Sequence, residues 1–136
     1  MYRVRVLIVD DELAMRAFVR AGLKVSFPEA VQIEEAGSGE MAMKKLAVYP
    51  CDIVICDWNM PGMKGTELLA WVKEQDSLKD TQFLMLTASH EKDIVMNAVE
   101  LGVDDFIMKP LSADELSRRV KSALARLLDI KKNKGG

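Results

Sequence analysis

Four short segments hold side chains that could do chemistry together: Asp10-Asp11-Glu12, Asp57-Trp58-Asn59, Thr87-Ala88-Ser89 and Lys109-Pro110. They offer carboxylates, a hydroxyl and an ammonium. Asp10 and Asp11 are adjacent, and with Asp57 they would put several negative charges within a few ångströms, which is tolerable only if a cation sits among them or one of them protonates. An all-oxygen donor set favours a hard ion, Mg²⁺ or Mn²⁺, that keeps several waters and can accept a phosphoryl oxygen at an open position. Taken singly, each residue has an ordinary structural reading: Asp11 as a helix cap, Asn59 in an Asx turn, Thr87 bonded to its own backbone, Lys109 solvated. Jointly these readings fare badly, because all four segments follow strands, and a cap needs one acid where this turn has three.

The elements that must position these residues are short apolar runs alternating with amphipathic stretches. Val4–Val9 reads as a strand, followed by a helix with Met15, Phe18, Val19 and Leu23 on one side. Val31–Ala36 leads through the turn Gly37-Ser38-Gly39 to a helix carrying Met43, Leu46 and Ala47. Residues 52–56 are rich in β-branched side chains and too apolar to have a wet face. A loop over 58–65, with Pro61, Gly62 and Gly65, precedes a helix with Leu68, Leu69 and Val72. Residues 82–86 make a fourth strand, Ile94, Val95, Ala98 and Val99 mark the next helix, and 104–108 make a fifth strand. The last helix opens on the S-x-x-E box of Ser112 and Glu115, and its stripe is Leu116, Val120, Leu124, Leu127 and Leu128. After Asp129 the segment IKKNKGG loses the apolar period, so one domain is expected over 1–129, with a flexible tail or the start of a linker over 130–136. Alternating strand and helix implies a parallel sheet with helices on both faces. Ligands bind such sheets beyond the carboxyl ends of the strands, where all four segments fall.

Composition removes several alternatives. The chain has 136 residues, 49% of them hydrophobic, with eight glycines and four prolines; that suits one ordinary domain and rules out a disordered or collagenous chain. Nineteen basic residues against 21 acidic ones leave a formal charge of −2, too balanced for a general grip on DNA or an anionic membrane. The first apolar run is too short to span a bilayer and meets three acids where a signal peptide would be cleaved, so a cytoplasmic protein with no membrane insertion is expected. One histidine, His90, and no C-x-x-C pair argue against zinc. Cys51 and Cys56, five apart in one apparent strand, would lie about 16 Å apart on opposite faces and could not pair.

The acid pair in LIVDDE, DWNMPGMKG after the third strand, LTAS after the fourth and FIMKP at the fifth resemble the receiver domain of the two-component response regulators. The likeness covers about residues 4–128 and is closest in form to the small single-domain chemotaxis regulators. It implies a flavodoxin-like (βα)5 fold with strand order 2-1-3-4-5, an order carried over from the family. Asp57 would be the phosphoacceptor, taking the phosphoryl group from a phosphohistidine of a sensor histidine kinase or phosphotransfer protein. Asp11 would bind Mg²⁺ directly and Asp10 through water, with Asp57 and the backbone carbonyl of Asn59 completing the protein ligands. Thr87 would bond a phosphoryl oxygen, Lys109 would pair with the same group, and the Lys109-Pro110 peptide would be cis. Phe106 would be the switch aromatic that follows Thr87; lacking a hydroxyl, it can report only through packing. Asn59 and Ser89 would tune how fast the phosphoryl group is lost. The fourth helix, fifth strand and fifth helix, with Val95, Val99, Phe106 and Met108, would meet a downstream protein or an output domain of a longer chain, with no direct contact to nucleic acid.

Two other functions compete. An Mg-dependent phosphatase with an aspartate nucleophile would want Asp-x-Asp, but the second acid's place holds Asn59, which cannot donate a catalytic proton. A flavodoxin-like FMN carrier would want a Ser/Thr/Gly-rich phosphate loop after the first strand, where Asp10-Asp11-Glu12 would repel phosphate.

Overall fold

The computed structural model describes residues 3–88 and 92–135. Its strands are β1 (Val4–Val9), β2 (Val31–Ala36), β3 (Ile53–Asp57), β4 (Gln82–Thr87) and β5 (Asp105–Met108), and its helices are α1 (Leu13–Ser26), α2 (Gly39–Val48), α3 (Gly65–Glu74), α4 (Lys92–Glu100) and α5 (Ala113–Gly135). The strands form one parallel sheet in the order β2-β1-β3-β4-β5.

The two-residue period of a strand sorts the core into two layers. Leu7, Val9, Val54, Cys56, Phe83 and Met85 face α2, α3 and α4, where Ala42, Leu46, Leu68, Leu69, Val72 and Ala98 meet them. Their neighbours Val6, Ile8, Ile53, Ile55, Leu84, Leu86 and Ile107 face α1 and α5, against Val19, Leu23, Leu116, Val120, Ala123 and Leu127. Strands β3 and β4 are buried throughout, as apolar runs covered on both faces must be, whereas the edge strand β2 leaves Gln32 and Glu34 in water. Charged and polar side chains there discourage another strand from pairing with that edge.

Several local expectations shift. β3 starts and ends one residue late: Asp52 is held outside it, its carboxylate accepting from Arg5 N at 2.9 Å, while Asp57 still pairs with Leu86 of β4. Cys51 therefore precedes the strand, and both cysteines lie in the α2–α4 layer as free, buried thiols rather than on opposite faces. The turn before α2 is shorter than expected, because Ser38 Oγ accepts from Met41 N at 3.1 Å and makes Gly39 the first helical residue. Ala42, one turn before Leu46, fills the place expected of Ala47, which is exposed. Phe18 is 43% exposed, Val99 52% and Leu128 67%, so each stripe is narrower than its apolar residues suggested. Ser112 Oγ caps Glu115 N at 3.1 Å, while the Glu115 carboxylate turns to Arg119 at 2.7 Å and Arg118 at 3.1 Å. Beyond Asp129 the expected loose tail is helix, because the lysines of this stretch favour a helix and no glycine interrupts it before Gly135. Among the described residues no helix is long and apolar enough to cross a membrane.

Candidate functional site

The carboxyl edge of the sheet gathers the residues singled out by type. Asp10 follows β1, Asp57 is the last paired residue of β3, Thr87 ends β4, and Lys109 follows β5. Carboxylate oxygens of Asp10, Asp11 and Asp57 all lie within 4.8 Å of one another. Lys109 Nζ donates to Asp57 Oδ1 at 2.8 Å, and Lys109 N bonds Thr87 O at 2.9 Å, so the ends of β3, β4 and β5 are tied together. The Lys109-Pro110 peptide is cis. Asp10, Asp57 and Thr87 are buried, while Asp11 opens to solvent.

Burial sets the electrostatics. Asp10 is 0% exposed. Loss of solvent pushes its pKa from 3.8 up to about 6, the Glu12 amide opposes the rise, and the negative charges of Asp57 and Asp11 add to it against the pull of Lys109. Its Oδ1 accepts from Glu12 N at 2.9 Å, yet Oδ2 is buried with no hydrogen-bond partner. Such an oxygen, beside two further carboxylates and with no soft donor grouped with them among the described residues, fits a hard divalent cation. Without metal, the protonated form of Asp10 is the favoured one only below about pH 6. Its contribution to stability is intact below the ordinary value of 3.8 and is lost as pH rises through about 6. Burial alone would lower the Lys109 pKa, but the bond and charge of Asp57, helped by Asp10 and Glu12, outweigh it and hold the ammonium charged. The Cys56 thiol, fully buried, is pushed well up and donates to Asp57 O at 3.2 Å, so it is no rival nucleophile.

The loop after β3 is fixed at both ends. Trp58 N bonds Leu86 O and Trp58 O accepts from Gly65 N, each at 2.9 Å. A Cβ on Gly65 would sit 2.5 Å from Asp57 O, so only glycine lets α3 begin this close to the acceptor strand. Asn59 is exposed, its Oδ1 taking a 2.9 Å bond from Lys64 Nζ; its side chain faces away from proton-donor work. Phe106, half-buried opposite Met85, packs against the α2–α4 layer. Ser89 lies outside the described residues.

Sequence reasoning missed Arg16, Glu35, Lys64 and Glu40. Glu40 Oε1 accepts from Met63 N at 3.0 Å, and Arg16 reaches both Glu35 and the Asp10 backbone. Arg16 and Arg20, one turn apart and facing an acid at the end of the next strand, were the available signal.

The response regulator receiver domain model matches residues 6–121. Chemotaxis protein CheY-3 of Vibrio cholerae is 34% identical over 125 residues, which span 91% of this chain and 94% of that protein. The phosphate regulon transcriptional regulatory protein PhoB of Pseudomonas aeruginosa is 34% identical over 121 residues, 89% of this chain but 52% of PhoB. The solved structure of the chemotaxis response regulator CheY4 of Vibrio cholerae superposes with a TM-score of 0.82 at 28% identity, covering 90% of this chain and 99% of that one.

Proposed function

Because the chain belongs to the response regulator receiver domain family, we propose that it is a phosphorylation-driven switch of the cytoplasm, charged on Asp57 by a phosphohistidine of a sensor kinase or phosphotransfer protein. The observation that carries this reading is Asp57 itself: a buried carboxylate on the last paired residue of β3, 2.8 Å from a charged lysine and grouped with two more acids. A rigid strand end and a fixed ammonium are what in-line phosphoryl transfer asks of a protein, since the work is positioning and charge stabilisation.

In the reaction, an Asp57 oxygen attacks phosphorus, the N–P bond of the donor breaks, and the electron pair leaves on the imidazole. Lys109 stays paired to the same centre and holds charge on the transferred group. Asp10, Asp11 and Asp57, with the Asn59 carbonyl, would hold Mg²⁺ or Mn²⁺, which when bound supplies positive charge to the phosphoryl oxygens. Thr87 would then bond the phosphoryl group and Phe106 would repack behind it. Val95 and Met108, half-buried, and Val99 and Met96, exposed, support an apolar output face on α4, β5 and α5. A groove lined by Glu12, Met15, Phe18, Pro110 and Leu111 opens on the same rim. The output is a separate target or a domain of a longer chain; the CheY-3 and PhoB overlaps represent both arrangements. The phosphatase alternative finds no support, its second acid being replaced by an exposed amide bonded to Lys64.

Metal binding supplies the test. Trp58 adjoins Asp57, so millimolar Mg²⁺ should change its fluorescence, and Asp11→Ala should largely abolish the response. Mg²⁺ should also raise the melting temperature at pH 7.5 and do so much less at pH 5.5, because a protonated Asp10 neither repels its neighbours nor binds the ion. Equal responses in wild type and Asp11→Ala would remove the metal-site assignment.

A further inference from the structure

Asp10 is held by every hydrogen-bonding atom but one. Its N donates to Ala36 O at 3.1 Å, its Oδ1 accepts from Glu12 N at 2.9 Å, and its carbonyl accepts from Arg16 Nη1 at 2.6 Å. Only Oδ2 is left, buried beside Asp11 and Asp57. The first is a backbone bond between β1 and β2 that any sequence with these strands would make, and the second is made by the carboxylate of Asp10 itself. The third is a choice of side chain.

Arg16 is itself held. Its Nε donates to Glu35 Oε1 at 3.1 Å, and the other Glu35 oxygen takes Arg20 Nε at 2.6 Å. Arg20 first, then Arg16, keep the Glu35 carboxyl below its ordinary range, so the acid stays charged and offsets the guanidinium. The fork therefore spans two acceptors on different elements, Glu35 at the end of β2 and the carbonyl after β1, each reached by its own nitrogen of one rigid plane. The leading charge effects on the Asp10 carboxyl come from Asp57, Lys109 and Asp11, while Arg16 meets the residue at its backbone carbonyl.

Resting on the receiver reading above, we propose that Arg16 is a positioning residue for the metal site: braced by Glu35, it fixes the Asp10–Asp11 peptide through the Asp10 carbonyl and so sets where both carboxylates point. Loss of the bond would leave a carbonyl of a fully buried residue without its partner, and the peptide would turn to find another. A small turn there moves two metal ligands together, and metal sites tolerate displacements of only about half an ångström. Arg20 shares the charge and the acid but does not touch Asp10, so it is the natural control.

The experiment measures Mg²⁺ affinity, by titration calorimetry well below the melting temperature, for wild type, Arg16→Ala, Arg16→Lys and Arg20→Ala. It also records the metal-free ¹⁵N shift of the Asp11 amide, whose peptide carries the bonded carbonyl. Arg16→Ala should weaken Mg²⁺ binding by about tenfold, the loss typical of removing an outer partner of a ligand, and should move the Asp11 shift. Arg16→Lys should recover part of both, and Arg20→Ala should leave both near wild type. Should Arg16→Ala not fold, Arg16→Lys carries the test, since one donor nitrogen on a flexible stem in place of a rigid two-nitrogen fork should still weaken binding severalfold. The proposal is overturned if the folded Arg16 variants bind Mg²⁺ as wild type does, whatever their melting temperature, or if Arg20→Ala weakens binding equally, which would make the effect one of charge. Failure of wild type to bind Mg²⁺ at all would instead overturn the metal-site assignment on which the proposal rests.

Discussion

Asp57→Asn should take up no phosphoryl group from acetyl phosphate, phosphoramidate or a phosphorylated kinase, under conditions where wild type gains one. An amide oxygen lacks the charge to attack phosphorus, and neither acid grouped with Asp57 shares its position: Asp10 has its Oδ1 tied to Glu12 N, and Asp11 lies out toward solvent. The substitution removes one partner of the Lys109 pair, which is costly where that pair is half-buried. It also relieves the repulsion between Asp57 and Asp10, so the fold should survive. Metal affinity should fall without vanishing, because Asp10 and Asp11 remain. Intact mass at neutral pH, with and without donor, gives the answer, and an Asp57→Asn protein that still gained one phosphoryl mass would show that the nucleophile lies elsewhere.

Gly65→Ala should damage both stability and chemistry, although it adds one methyl group to a residue that bears no functional atom. The new Cβ would stand 2.5 Å from Asp57 O, 2.9 Å from Met85 Sδ and 3.0 Å from Trp58 Cα. Two of the three are main-chain atoms at the end of β3, clamped to β4 by the Asp57 and Leu86 pairing and the Trp58 N to Leu86 O bond. The start of α3 must therefore move, breaking the Gly65 N to Trp58 O bond that closes the loop. Overpacking of this kind costs about 1–3 kcal/mol, and a displaced acceptor should slow phosphoryl uptake by on the order of tenfold or more. Gly37→Ala, whose Cβ would meet nothing closer than Arg16 Nη1 at 3.6 Å, is the control and should change little. Denaturant unfolding and the rate of mass gain with acetyl phosphate measure the two effects. A Gly65→Ala protein as stable and as reactive as Gly37→Ala would mean that α3 does not gauge the acceptor.

What the sequence made legible was whatever depends on one element at a time. Apolar runs named the strands, and because Asp10, Asp57, Thr87 and Lys109 each stand at or just after a strand, a parallel sheet had to bring them to one rim. The rim's acid pair and lysine were readable by type alone. Less legible was what depends on two elements meeting. Asp57 reads as the residue just past the third strand until Leu86 is seen to pair with it, and Cys51 reads as strand until the Asp52 carboxylate turns to Arg5 N. Phe18 has the spacing of a core residue, but it stands at the edge of what α1 buries and stays half in water. Arg16 looks like any exposed helix arginine in one dimension; its two acceptors lie 6 and 19 residues away. The length of α5 was underestimated because an apolar stripe measures the part of a helix that packs, and this helix continues past its last core residue, Leu127.

The two thiols give this sheet an internal clock. Cys51 lies just before β3 and Cys56 directly before the acceptor Asp57, so they mark opposite ends of one central strand. Burial raises the first to about pKa 11 and the second well above the ordinary thiol range. Cys56, fully enclosed, can be alkylated only through opening, whereas Cys51 is 6% exposed and lines a surface cavity, so it keeps a slow access of its own. The labelling rate at Cys56 therefore counts excursions of the carboxyl rim, and the rate at Cys51 serves as the reference from the far end. A ligand or phosphoryl group that tightens only the rim would slow one rate and leave the other unchanged.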